Sequence, residues 1–277
     1  MRRGITLLIS AVLAVVTLTG CGGYNKILKA SDYGTKYSLA KNLYAEGRFT
    51  TCSSVLEECV VMLHGTPQGE ESMYLLASCY FNLGDYLSAS QYFQSCFTRY
   101  PNSDYSESSL FMMGKSLFLD MPDPRLDATS TNNAITSLQR FVETYPQSRY
   151  RSEAEGMIYE MYDRLVEKEK RSAELYYNMG LYLGNNYRSC IIVAQNAMRD
   201  YPYTRYREDL SALVLRAKFQ LAEESVASRK DERYRDAIDE YYAFKNEFPE
   251  SKYMKEAERI FRISTRNLEG KEQIQDE

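Results

Sequence analysis

The sequence predicts an all-α chain made of about five repeated helix pairs. Three observations support this. First, one corner motif returns four times: "RYPNSDY" ending at Tyr105, "TYPQSRY" at Tyr150, "DYPYTRY" at Tyr206 and "EFPESKY" at Tyr253. Each copy reads aromatic, Pro, any residue, Ser or Thr, any residue, Tyr. Second, Gly and Pro are scarce between the corners, and apolar residues recur every three or four positions, the period of one helix face. Third, the segment before Pro101 fits the tetratricopeptide (TPR) template. Leu76 and Ala77 fall on its large and small positions, Tyr80 on its Tyr, Ala89 and Cys96 on its second-helix small positions and Phe93 on its aromatic, while Gly84-Asp85-Tyr86 makes the turn. The small residues stand where two helices must approach closely.

The same ruler runs along the chain. Gly47-Arg48-Phe49 turns repeat one, with Leu39, Ala40 and Leu43 before it and Leu56 after it. Ala134, Leu138 and Phe141 precede Pro146; Tyr187, Ala197 and Met198 precede Pro202; Ala237, Tyr241 and Phe244 precede Pro249. The four corner prolines lie 45, 56 and 47 residues apart, longer than the TPR unit of about 34. The excess has visible causes. Asp120 to Asn133 is a long turn in repeat three, Glu223 to Arg233 lengthens repeat five, and Tyr150 to Lys170 reads as an extra or extended helix in repeat four. Residues 33–268 therefore read as a TPR-like α-solenoid. Its repeats span about 33–66, 70–102, 107–147, 150–203 and 207–250, followed by a capping helix at 252–268 and a polar tail at 269–277.

At each corner the aromatic closes a helix. Pro cannot continue that helix and biases the residue before it away from α geometry. Ser103, Ser148, Thr204 and Ser251 are placed to N-cap the next helix. Acids in the following first turn favour its positive end.

The first twenty residues read as a signal rather than as part of the fold. Arg2 and Arg3 precede an apolar run from Ile5 to Leu18, short for a membrane span and proportioned like a secretory h-region. Leu18-Thr19-Gly20-Cys21 resembles a bacterial lipobox, in which the chain is cut before a lipidated Cys. The alternative is an ordinary signal peptide with a cysteine nearby. Lipidation at Cys21, with residues 21–32 as tether, would anchor the body to a membrane without a spanning helix. By analogy with lipoprotein sorting rules, the lack of Asp at position 22 points to the outer membrane. The lack of an acidic run after Cys21 points to a periplasm-facing body.

Composition narrows function. The net charge is −4 and there are no basic blocks, which argues against nucleic acid. Five cysteines remain besides Cys21, with no CxxC; Cys52, Cys59, Cys96 and Cys190 fall on the template's small positions, which suits buried packing. An oxidising compartment would also permit a disulfide. His64, in the "HGTPQGE" corner, is the single histidine, so a multi-His metal cluster is excluded and no Ser-His or Cys-His partner set is expected. No Gly-rich phosphate loop is present. The expectation is no enzyme, no cofactor and no metal.

TPR arrays bind with first-helix positions 5, 9 and 12. These are Tyr37, Lys41 and Tyr44 in repeat one, Tyr74, Ser78 and Phe81 in repeat two, and Phe111, Lys115 and Phe118 in repeat three. Aromatics seven apart share one face. The result is either a double aromatic row with Lys between, suited to an extended peptide with aromatic side chains and a carboxylate, or rings packed on neighbouring helices.

A lipobox followed by five TPR units with "YP" corners resembles the BamD family of outer-membrane assembly lipoproteins. The most similar stretch is "AELYYNMGLYLGNNYRSCIIVAQNAMRDYPYT" (Ala173 to Thr204), like that family's fourth repeat, and Asp123 to Ala134 resembles its third-repeat insertion. The resemblance covers about residues 33 to 265. It implies a non-enzymatic subunit of the β-barrel assembly machinery. The C-terminal repeats would dock on the periplasmic POTRA domains of a BamA-like barrel protein, with Arg188 a candidate contact, and the N-terminal repeats would receive unfolded outer-membrane proteins. The alternative is another TPR envelope lipoprotein, such as a secretin pilotin or a cell-envelope coordination factor.

Overall fold

A computed structural model of the chain describes residues 32–123 and 128–275, with side chains as far as Glu269. The expected signal at 1–20, Cys21 and nearly all of the tether lie outside the described residues. So do residues 124–127 of the repeat-three insertion and the end of the polar tail.

All regular structure among the described residues is helical, and it falls into two compact units. Unit one holds three antiparallel pairs: α1 (Tyr33–Ala45) with α2 (Phe49–Met62), α3 (Pro67–Asn82) with α4 (Tyr86–Arg99), and α5 (Ser106–Leu119) with α6 (Thr129–Thr144). It also takes the first seven residues of α7 (Arg151–Met179). Unit two holds the rest of α7, with α8 (Asn186–Asp200), α9 (Arg207–Glu223), α10 (Ala227–Glu247) and α11 (Met254–Gln275). The length added to repeat four is one continuous extended helix of 29 residues.

Local chemistry sets the helix starts. Asp32, Thr66, Asp85 and Asn185 each accept a backbone N–H of the helix that follows, and Pro67 opens α3 where its missing N–H costs nothing. Gly47 and Gly84 stand at the intra-pair turns with φ of 72° and 79°, a region that bulky side chains avoid.

The template positions are core. Leu76, Ala77, Ala89, Phe93 and Cys96 are sealed from solvent, and Tyr80 stacks on Tyr92 at 5.2 Å. Repeat three closes at Gly114, where a Cβ would lie 2.5 Å from Leu138 Cδ2. Only glycine lets α5 come that close to α6. In unit two, Leu210, Val214 and Ala217 of α9 meet Cys190, Ala194 and Ala197 of α8, and Ala237, Tyr241 and Phe244 of α10 meet Ala257 and Ile260 of α11.

The four corners share one hydrogen-bond pattern. The aromatic N–H donates four residues back, Tyr100 to Cys96, Tyr145 to Phe141, Tyr201 to Ala197 and Phe248 to Phe244, at 2.8–3.0 Å. The Ser or Thr N–H then donates to the aromatic carbonyl at 3.0–3.2 Å. The expected capping role of Ser103, Ser148, Thr204 and Ser251 is corrected by the geometry. The N-caps of α5 and α9 are Tyr105 and Tyr206, which make no side-chain capping bond. Each hydroxyl instead accepts the N–H two residues on, from Tyr105, Tyr150, Tyr206 or Tyr253. It fixes the turn before the helix rather than the helix end. Two residues still separate the hydroxyl from the first helical position, so it cannot reach the N–H groups it would have to cap.

Gly114→Ala should lower stability by about 1–3 kcal/mol, because Leu138 has no solvent side into which to move. Gly156→Ala, in exposed α7 with nothing within 4 Å of its Cβ, should be neutral or stabilising by up to about 1 kcal/mol. Urea unfolding of the two variants checks the pair; equal effects would contradict the close contact.

Candidate functional site

The first-helix face of unit one is built from α1, α3 and α5. Tyr37 donates its hydroxyl to Glu71 of α3, and Lys41 pairs with the same carboxylate at 2.8 Å. Burial pushes the Glu71 carboxyl up, but the bonds from Lys41 and Tyr37 outweigh it and hold the group below its ordinary range. Tyr74 stacks on Tyr105 at 4.8 Å and meets Phe93 edge-on. Phe111 stacks on Tyr150 at 4.6 Å, nearly parallel, and is 2% exposed. Lys115 pairs with Glu153 at 2.8 Å. Ser78 is buried and donates to the Tyr74 carbonyl at 2.9 Å.

The structure therefore divides the nine groove positions. The position-5 rings are engaged by the following repeat, and Phe111 and Ser78 belong to the packed interior. Both lysines already hold a carboxylate from the next first helix, so neither presents an unpaired charge to a ligand. Tyr44, Phe81 and Phe118, at position 12, are half-buried; Tyr44 rests edge-on against Phe49 and Phe81 against Tyr86.

These contacts follow a rule that extends into unit two. The last Tyr of a corner lies on the first helix of the repeat it closes. In unit one it meets rings, Tyr74 and Phe111; in unit two it meets cations, with Lys170 over Tyr206 at 5.8 Å and Arg216 over Tyr253 at 4.8 Å. On every first helix except α3, which has no Lys or Arg, a cation pairs with an acid near the start of the next first helix. Besides Lys41–Glu71 and Lys115–Glu153, these are Lys170–Asp209 at 3.9 Å and Arg216–Glu256, bidentate at 2.8 and 2.5 Å. The corner hydroxyls reach back as well. Ser148 donates to Glu107, Thr204 to Asp163 and Ser251 to Glu208, each at 2.6 Å. Sequence reasoning missed this tie, although its signal is present as an acid recurring 41 to 43 residues before the hydroxyl.

The turn between α7 and α8 is the other unusual surface. Leu181, Tyr182 and Leu183 are all exposed, Leu183 by 89%, and Leu183 has φ of 55°, unfavourable for a bulky side chain. The turn is held by Tyr182 N–H to the Met179 carbonyl at 2.9 Å, Gly184 N–H to the Leu181 carbonyl at 3.3 Å, Asn186 N–H to the Gly180 carbonyl at 2.9 Å and Asn186 Nδ2 to the Tyr182 carbonyl at 2.7 Å. Five residues on, exposed Arg188 donates its backbone N–H to Asn185 Oδ1 at 3.3 Å.

Cys52, Cys59, Cys79, Cys96 and Cys190 are all free and fully buried. Burial pushes Cys59 and Cys96 up to about 11 and Cys190 to about 12. Cys79 is pushed up by its contact with Cys52 and by burial. Among the described residues no group of three His, Cys, Asp or Glu is placed to hold a metal ion. No described helix is long and apolar enough to cross a membrane.

Successive antiparallel pairs, joined after the second pair by one recurring corner, define a TPR-like repeat protein. The sequence profile of the YfiO outer membrane lipoprotein family matches residues 30–195, and the chain belongs to that family. It is 24% identical over 263 residues to outer membrane protein assembly factor BamD of Neisseria meningitidis, covering 87% of this chain and 91% of the relative. It is 28% identical over 160 residues to BamD of Helicobacter pylori, covering 55% of this chain and 70% of the relative. Among solved structures, the TPR-like repeats of a kinesin light chain from Podosopora anserina match 80% of this chain and all of that one, at 12% identity and a TM-score of 0.37.

With Cys21→Ser removing the remaining thiol, the native chain at pH 8 should give almost no reaction with a thiol-specific chromophore. All five cysteines should titrate in denaturant. Fast native labelling of any of them would contradict the sealed positions.

Proposed function

We propose that this chain is a non-enzymatic, lipid-anchored scaffold of the outer-membrane β-barrel assembly complex. The observation that carries the reading is family membership over residues 30–195, joined by near full-length similarity to an assembly factor. Lipidation at Cys21 would hold the body at the outer membrane, facing the periplasm. Repeats four and five would receive the POTRA region of a BamA-like barrel protein. The exposed Leu181–Leu183 turn supports this, because large apolar side chains displayed together suit the anchor of a protein interface. Leu183 keeps a strained backbone while burying almost nothing of its own, which is understandable if the side chain is covered by a partner.

Repeats one to three would receive unfolded barrel precursors. Since Lys41 and Lys115 are paired, the half-exposed rings Phe81 and Phe118 are better placed than the lysines to hold an aromatic-ended segment.

A pull-down with the tagged, membrane-anchored chain should recover a BamA-like barrel protein; recovery of a secretin or a murein enzyme without it would overturn the reading. Leu183→Gly should leave stability unchanged or raise it by about 1 kcal/mol, since glycine accepts the left-handed region. The same variant should cut recovery of the barrel protein several-fold. For the precursor face, Phe81→Ser with Phe118→Ser should weaken binding of a peptide ending in an aromatic residue by about tenfold, or about 1.4 kcal/mol. Unchanged affinity in a folded variant would remove those rings from the site.

A further inference from the structure

Helix α11 carries a surface that the assembly reading does not use. Its buried side is Ala257, Ile260 and Ser264, set into the core of unit two. On the opposite side stand Lys255, Arg259, Arg262 and Arg266, all exposed. Their spacing of four, three and four places them within an arc of about 60° and along about 16 Å of helix. None of the four makes an ion pair, a side-chain hydrogen bond or a ring contact among the described residues. Arg188, Lys230 and Arg235 of α8 and α10 are likewise unpaired among the described residues, but the cations on the first helices and corners of unit two are not. Lys170, Arg171, Arg205, Arg207, Arg216, Lys218 and Lys252 are each held by a carboxylate there. The nearby acids of α11 do not neutralise the stripe. Glu256 is taken by Arg216, and Glu258 and Glu269, both exposed, lie at the edge of the stripe without pairing, two acids beside four cations.

We infer that this stripe is a docking surface for the acidic face of another protein, a helix bearing carboxylates at matching spacing. Two features favour that occupant. At the junctions described above, cations on a first helix are met by a carboxylate from the next first helix. Helix α11 follows a corner and takes the place of a first helix, but no described element lies on its outer side. A partner helix stacked there would supply the carboxylates that a following repeat supplies elsewhere. An anionic membrane fits less well. The apolar side of α11, including Phe261, Ile263 and Leu268, is committed to the core, so nothing remains to insert between lipids, and the negative charge of the whole chain opposes approach to an anionic surface. The inference does not depend on the assembly reading.

The test uses the tagged chain in detergent and three probes. These are a synthetic helix with Glu at spacings of four, three and four, the same peptide with its Glu positions scrambled, and phosphatidylglycerol vesicles. The patterned helix should bind, and binding should weaken at least tenfold between 50 and 300 mM salt. Arg259→Glu with Arg262→Glu should weaken it at least tenfold with the melting temperature unchanged. Arg235→Glu, on the exposed side of α10, should leave it unchanged. Equal binding of the patterned and scrambled peptides, or indifference to the double reversal, would overturn the inference. So would binding to vesicles with none to the patterned helix. Loss of the barrel protein from the pull-down with peptide binding intact would count against the assembly reading alone.

Discussion

Each repeat is completed by the segment that follows it, and the corner tyrosine is the main device. In unit one the first helix carries a ring that cannot be left in water at no cost. Tyr105 covers Tyr74 and Tyr150 covers Phe111. Burying a large side chain stabilises by about 1.5–3 kcal/mol, and a near-parallel aromatic pair adds about 0.5–1.5 kcal/mol more. The same chain segment places a hydroxyl on the first-turn carboxylate of the first helix of the repeat it closes, as Ser148 does on Glu107. Packing and hydrogen bonding thus act at one point, and the proline before it ensures that the chain turns there. No single helix of such an array has a reason to be stable alone.

Charge does what the rings cannot. In unit two, Lys170 and Arg216 stand over the corner rings and also pair with acids of the next first helix. Arg216 grips Glu256 bidentately while lying on Tyr253, using the flat face and the donor edge of one guanidinium together. Substituting cation for ring changes the character of the face from apolar to polar without changing the joint.

Much of the fold was legible because it depends on spacing. The repeated corner, the glycine turns at Gly47 and Gly84 and the small residues at Ala77, Ala89 and Cys96 all follow from close helix approach, which few residues permit. The site was less legible because its pairing is non-local. Lys41 reads as an available cation until Glu71, thirty residues on, is brought beside it. Phe111 reads as a groove ring until Tyr150 folds onto it. Ser148 has the composition of a helix cap, and only backbone geometry shows that it serves the turn instead. The stripe on α11 has a readable period, yet the sequence around it looks charge-balanced. Which acids are committed elsewhere is a property of packing.

The five sealed thiols matter in time as well as in space. Once packed they are beyond the reach of an oxidant, but in an extended chain they are as open as any cysteine. Cys52 and Cys79, neighbours in the finished core, are then two of several partners that could be joined, and most joinings would forbid the close helix approach on which the repeats rely. Protection must therefore come from speed. Contacts between helices adjacent in the chain close through short loops and form early, so a repeat array hides its thiols sooner than a fold of distant pairings would. For a chain whose buried thiols must not be joined wrongly, local topology is a chemical safeguard.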